Sequence, residues 1–314
     1  MVRRHELTDA QWRKIEPLLP GNGKPGGQWA DHRKVINGVL FRARTGVPWP
    51  DLPERYGPWQ TVYERHRRWS ADGTWQAVLE ELQIEADAGD PDGALAGRAG
   101  RQEWAVNIDS TSCRAHQHAA GAPRKPPTDH PQKRGGAREE ADGREALGRS
   151  RGGLTSKVHL LSDDRARPLH WLTSPGQRGD SPVFALVLDG LRIRRRGPGR
   201  PRSRPDRVRG DKACSSRDNR AYLRRRGIKA TIAQPDDQRL HRKRRGRAGG
   251  RPPAFDKAQY RRRNAVEQCV NKWKQFRAVA TRYDKRDYIF NGTLTVTAIV
   301  IWLRDTVQEP SETA

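Results

Sequence analysis

The residues from Tyr260 to Lys274 carry the densest set of side chains suited to chemistry: Tyr260, Arg263, Glu267 and Lys274. The stretch contains neither Gly nor Pro and can be helical. At roughly 100° per residue, these four groups share one narrow stripe. Val266, Cys269, Val270, Trp273 and Phe276 take the adjoining face and would anchor the helix to a core. One carboxylate flanked by Tyr, Arg and Lys on a packed helix is suited to handling phosphate. The alternative is a solvated face whose charges pair at three- and four-residue spacing.

Two further acids stand in informative places. Trp104, Val106 and Ile108 alternate as in a strand, and Asp109 closes that pattern before Ser110, Thr111 and Ser112. An acid at a strand end is suited to a site, or caps the turn that follows. Val208 to Asp211 reads as a weaker strand with a second terminal carboxylate.

The charge names the partner class. The chain carries 62 Lys+Arg against 37 Asp+Glu, a formal net charge of +25. That excess points to a polyanion, most simply nucleic acid. There is no apolar run of about 18 residues to span a bilayer and no signal peptide, so no membrane partner is expected. Three cysteines lack metal-ligand spacing and fit a reducing cytoplasm. His116 and His118 lack a Cys or His partner set, so no zinc site is expected. The pairs Asp163-Asp164 and Asp236-Asp237 read as turn residues.

The elements that position these groups follow from pattern. Leu7–Leu19 reads as a helix, with Thr8 and Gln11 as a capping box. Helices follow over Asp31–Thr45, Trp59–Trp69 and Thr74–Ile84. On the third, Arg65, Arg67 and Arg68 lie toward the outside, which suggests a helix-turn-helix-like DNA-binding module. Residues 1–86 form this N-terminal all-α domain, and 87–102 a linker. Lys157–Leu161 and Pro168–Thr173 pair as a hairpin. Ser181 caps a helix that starts at Pro182. Ser215 and Ser216 cap another that ends before Gly227. Lys229–Ile232 is a strand, and a last helix covers Leu294–Arg304. Three basic insertions, 119–153, 192–207 and 235–257, interrupt the second domain, 103–306.

The order from Trp104 onward is three strands, helix, strand, helix, strand, insertion, helix. This is the arrangement of the ribonuclease-H-like fold, a mixed five-stranded sheet flanked by helices, in which the first and fourth strands are neighbours. Asp109, Asp211 and Glu267 can then converge. Three carboxylates suit hard cations such as Mg²⁺, and two such ions can drive phosphoryl transfer.

The same residues carry a family resemblance. The chain resembles a bacterial insertion-sequence transposase with an Asp-Asp-Glu triad, of the insertion-sequence-five family with an insertion-sequence-four-like catalytic domain. Residues Leu7 to Tyr63 are similar to that family's N-terminal domain. Asn107-Ile-Asp109-Ser-Thr resembles its first catalytic motif, and Gly210-Asp211-Lys-Ala-Cys-Ser-Ser its second. Tyr260-x2-Arg263-x3-Glu267-x6-Lys274 matches its C-terminal signature in type and spacing. Cys214 and Gly210 depart from the pattern, which has Tyr and Ala there.

The resemblance implies that Asp109, Asp211 and Glu267 hold two Mg²⁺ or Mn²⁺ ions. It implies that Tyr260, Arg263 and Lys274 contact DNA phosphates. The expected reaction is hydrolysis at the terminal inverted repeats, then attack of the freed 3′ hydroxyl on target DNA. Joining two ends implies a homodimer on DNA, in the cytoplasm and associated with the nucleoid. The rival readings are a non-catalytic repressor bound to the repeats and a nuclease without strand transfer.

Overall fold

The computed structural model describes residues 5–21, 28–89, 103–122 and 145–307. Its sheet is built outward from β1 (Ala105–Ala115). β3 (Gly153–Ser162) runs antiparallel to β1, and β4 (Pro168–Pro175) antiparallel to β3. On the other side β5 (Arg207–Gly210) runs parallel to β1, and β6 (Lys229–Ile232) parallel to β5. The order β4-β3-β1-β5-β6 puts the first and fourth strands of the main sheet side by side. That is the ribonuclease-H-like arrangement. Two short strands extend it: β2 (Gly148–Ser150) on β3, and β7 (Thr281–Arg282) on β1.

Parallel neighbours need crossovers. Helix α6 (Asp180–Asp189) lies between β4 and β5, and α7 (Arg217–Arg225) between β5 and β6. Val183, Phe184, Val187 and Leu188 of α6 are buried with Val106, Ile108 and Val208 of the strands in one core. Ser216 caps α7 by accepting from the Asn219 amide, as its position predicts.

The N-terminal helices are α1 (Asp9–Ile15), α2 (His32–Thr45), α3 (Trp59–Ala71) and α4 (Thr74–Gly89). The Thr8–Gln11 capping box forms. Asp31 caps α2, and Gly46 ends it with φ 72°, a left-handed conformation that costs Gly little. Of these, α2, α3 and α4 pack on α12 (Asp287–Thr306), whose other neighbours include β4. The seam is polar as well as apolar. Arg42 of α2 meets Asp284 at 3.0 Å, with both side chains buried. His66 of α3 lies 3.2 Å from Thr293, which donates to Asp284 at 2.9 Å. Trp302 of α12 is fully buried and donates to the Pro168 carbonyl.

Several elements differ from the expectation. β1 continues to Ala115, so Asp109 lies within a strand, not at its end; Ser110–Ser112 keep pairing with Lys157–His159. Asp180 opens α6, with Gly179 as its N-cap in place of Ser181. The insertion at 235–257 contains α8 (Asp236–Arg244), so Asp236 and Asp237 form its first turn, where they favour the helix dipole. In 192–207, Ile193 and Arg202 form a bridge, and Arg202 pairs with Asp87 of α4 at 3.2 Å. In 119–153, α5 (Gln117–Ala120) ends and β2 enters; residues 123–144 lie outside the described residues.

The helix expected over Tyr260–Lys274 is two helices, α9 (Lys257–Arg261) and α10 (Asn264–Lys274). Nothing local breaks it. Arg262 and Arg263 at the corner are drawn to different carboxylates, Asp164 at 2.8 Å and Asp109 at 2.9 Å. Tyr260 therefore does not share a straight helix with Glu267. A four-residue helix, α11 (Arg277–Ala280), follows.

Candidate active site

The site opens where the sheet loses a partner. β1 pairs with β5 only through Asn107↔Arg209 and with β7 only from Arg114. Between those points the edge of β1 is open, and Asp109 stands there. Continuing the β1–β5 register by two residues sets Asp211 opposite Asp109. Adjacent strands lie about 4.8 Å apart, so the two carboxylates leave neighbouring positions on one face. Asp211 turns away from β5 by capping a short 3₁₀ turn, accepting from the Cys214 amide at 3.3 Å.

Glu267 comes from the first turn of α10. Arg263, at that helix's N-cap, donates to Asp109 Oδ2 at 2.9 Å and to Glu267 Oε1. One guanidinium thus joins two acids that lie 158 positions apart in sequence (267 less 109). Burial raises the Asp109 carboxyl above the usual range, against the Ser110 amide and Arg263, and the like charge of Asp211 adds to the rise. Burial also limits the Arg263 guanidinium, yet Asp109 and Glu267 outweigh it and raise its pKa. Each group thus favours the charged form of the other.

A fourth acid, Asp180, lines the same pocket as Asp109 and Asp211. It lies 2.8 Å from Lys157 Nζ and 3.2 Å from His159 Nδ1. Burial pushes its carboxyl up, but hydrogen bonds from His159, Lys157 and Ser110 hold it well below the usual range. Sequence reasoning missed it. Its signal is an acid just before Ser181-Pro182, at a predicted helix start.

The two motif departures touch each other. A Cβ on Gly210 would lie 3.1 Å from Ile108 Cγ2 and 3.3 Å from Cys214 Cβ. Gly210 and Cys214 thus fill one tight space, and Cys214 is buried in the apolar wall behind the carboxylates.

The expected DNA-contact residues divide. Tyr260 is half-buried, its ring 5.1 Å from that of Phe255, beside the Arg263 corner. Lys274 is exposed, seven residues and about 10 Å along α10 from Glu267. Arg67 is exposed and pairs with Glu64. Arg68 is exposed and lies over Trp29, its guanidinium carbon 5.3 Å from the ring centre. Arg65 contradicts the expectation: it is buried, not outward-facing. Its guanidinium stacks on Trp29 at 4.1 Å and Trp69 at 5.1 Å, and contacts His32 at 2.5 Å. Flat aromatic faces around a weakly hydrated cation drew it inward.

Comparison with known proteins bears on both halves of the chain. Residues 7–79 match the family described as "Putative transposase of IS4/5 family". Residues 100–303, more than half of the chain, match "Transposase DDE domain". The chain belongs to the DDE transposase family. Among its relatives is the "Putative transposase for insertion sequence element IS6501" of Brucella ovis, 28% identical over 48% of this chain and 100% of that one. An uncharacterized protein, y4sN of Sinorhizobium fredii, is 40% identical over 38% of this chain and 83% of its own length. An uncharacterized protein of the element IS402 from Burkholderia cepacia is 35% identical over 27% of this chain and 62% of its own. A solved Mos1 transpososome, in its pre-cleavage state, aligns over 90% of this chain and 81% of its own at 11% identity and a TM-score of 0.23. At that score the fold assignment rests on the strand order alone. This DDE transposase is an insertion-sequence enzyme, with DNA as its partner and a dependence on divalent metal that the family shares. Among its described residues no helix is long and apolar enough to cross a membrane.

Proposed function

We propose that Asp109, Asp211 and Glu267 are the transposase's metal-holding carboxylates and that they take two Mg²⁺ or Mn²⁺ ions. On this reading the enzyme binds terminal inverted repeats, hydrolyses DNA at the element's ends and joins the 3′ hydroxyl to target DNA. The observation that carries the proposal is the Arg263 bridge between Asp109 and Glu267, beside a pocket that Asp109 and Asp211 both line.

The donor set suits hard divalent cations, which prefer oxygen ligands. Three acids at one opening, with an arginine held among them, form a place that stabilises positive charge. Among the described residues no three such side chains are close enough to grip one ion, and Arg263 is the cation that Asp109 and Glu267 share. Bound metal supplies activation of the attacking oxygen and stabilisation of the leaving one. The chain's own residues do the rest. The Ser110 amide orients Asp109 by donating to Oδ1 at 2.8 Å. Arg263, once released from the acids, is placed beside Tyr260 to meet a phosphate, with Lys274 further along α10. Arg67 and Arg68 serve DNA from the N-terminal helical domain, whose α4 runs on to Gly89, past the end expected for that domain at residue 86, and the catalytic domain covers 103–306. Two copies would hold two element ends, at the nucleoid in the cytoplasm.

The test is cleavage of a terminal-repeat duplex with Mg²⁺. Asp109→Ala, Asp211→Ala and Glu267→Ala should each abolish cutting while repeat binding persists. A variant that still cuts would remove its residue from the metal set. Cutting by the wild type without any joined product would reduce the enzyme to a nuclease.

A further inference from the structure

Two residues before each aspartate, the same strands carry polar groups where apolar ones would be expected. Asn107 and Arg209 are partners in the β1–β5 ladder, and both are fully buried. They lie on the same face as Asp109 and Asp211. A buried guanidinium must find several acceptors. Arg209 finds three from separate parts of the chain. It donates to Asn107 Oδ1 at 3.2 Å, to Asp164 in the β3–β4 turn, and to Gln259 Oε1 of α9, from Nε at 3.2 Å and Nη2 at 2.6 Å. Asp164 extends the network. Its Oδ1 also accepts from Asn107 at 3.1 Å, and its Oδ2 pairs with Arg262 at 2.8 Å. Gln259 and Arg262 flank the corner from which α10 departs, five residues before Glu267.

We propose that Arg209, acting through Gln259 and through Asp164–Arg262, is the positioning residue that sets Glu267 against the two strand aspartates. The proposal rests on the assignment of Asp109, Asp211 and Glu267 as the metal set. Its physical basis is a problem of register. One of these acids lies in β1 and another directly follows β5, each two residues past the last pair of their ladder, Asn107↔Arg209. The third comes from a helix with no backbone pairing to that sheet. Its first turn must be held to about half an ångström for three acids to act together. A buried ion pair is a poor source of stability compared with apolar packing. Here it links the strand floor, the turn and the corner of α9 and α10 by directional bonds that an apolar cluster would lack. The helix break at Arg262 follows from the same network, since Arg262 faces Asp164 while Arg263 faces Asp109.

The test uses the full chain and four variants: Gln259→Leu, Gln259→Glu, Arg262→Ala and Glu267→Gln. The readouts are kcat and KM on a terminal-repeat duplex, Mn²⁺ affinity by electron paramagnetic resonance without DNA, and thermal midpoint. Gln259→Leu should lower kcat about a hundredfold, the scale expected of small misplacements, and weaken Mn²⁺ binding. KM should hold, and the midpoint should fall only modestly, since Arg209 keeps Asn107 and Asp164 as acceptors. Gln259→Glu keeps the acceptor for Arg209 and should restore kcat to within a few-fold of wild type. Arg262→Ala, at an exposed side chain, should lower kcat about tenfold, and it decides the matter if Gln259→Leu does not fold. Equal activity of Gln259→Leu and wild type overturns the proposal, as does a loss in kcat that only tracks the midpoint. Normal cutting by Glu267→Gln would instead defeat the underlying metal assignment, whatever the Gln259 variants do.

Discussion

Arg263 Nη1 lies 2.9 Å from Asp109 Oδ2, a contact between residues 154 positions apart, and its other amino group holds Glu267. The signature arginine of the C-terminal helix therefore sits among the carboxylates. Its removal should leave Asp109 and Glu267 without a counter-charge. Arg263→Gln should then bind Mn²⁺ more tightly, by about tenfold, or about 1.4 kcal/mol, and bind a terminal-repeat duplex more weakly. Calorimetric titration of metal and DNA separately checks this; unchanged metal affinity would show that Arg263 does not compete for the acids.

Arg65 and its neighbours should separate stability from DNA contact. Arg65→Ala strips a buried cation from Trp29 and Trp69, and should lower stability by about 2 kcal/mol in urea unfolding. Arg67→Ala and Arg68→Ala should leave the urea midpoint unchanged. Each should weaken duplex binding and shrink its salt slope by roughly one counterion. If Arg65→Ala lowers the salt slope at full stability, the buried arginine is a DNA contact after all.

His66 predicts an acid-sensitive seam between α3 and α12. Burial lowers its pKa to about 4 from an ordinary 6.5, with Arg42 acting the same way and Asp284 opposing. Between those values the unfolded chain binds a proton that the folded chain does not, so stability rises with pH there and falls on acidification. Asp284 is held down by Arg42 and His66 against its own burial. A depressed carboxyl also loses its contribution as pH falls, so both groups act in the same direction. Urea unfolding at pH 7.5 and pH 5 should show lower stability at pH 5, and His66→Gln should flatten the difference. An identical difference in the variant would assign the acid sensitivity elsewhere.

Much of this arrangement was legible in the sequence where local signals set the outcome. Asp31 and Gly46 bracket α2 because an acceptor at one end and left-handed freedom at the other are local requirements. The β3–β4 hairpin and the Ser216 cap are likewise written in neighbouring residues. Asp109, Asp211 and Glu267 are read as a set from the element order together with the C-terminal signature. What escaped depended on distant partners. β1 runs past Asp109 because β3 pairs with Ser110–Arg114, which alternation in β1 alone does not disclose. The α9–α10 corner contains no helix breaker and is set by Asp109 and Asp164. Arg65 reads as a surface charge until Trp29 and Trp69 are known to enclose it. Asp164 reads as a turn residue, and it is one, but it also anchors Arg209 and Arg262.

The central claim, that Asp109, Asp211 and Glu267 grip the same ions, is tested most directly by iron-mediated backbone cleavage. Fe²⁺ replaces Mg²⁺ in the full-length transposase on a terminal-repeat duplex, and peroxide then cuts the polypeptide beside the bound metal. Fragments should end near residues 109, 211 and 267 together, and all three should vanish in Asp109→Ala. Cuts at only one or two of these places, or cuts that persist in that variant, would contradict a shared metal site.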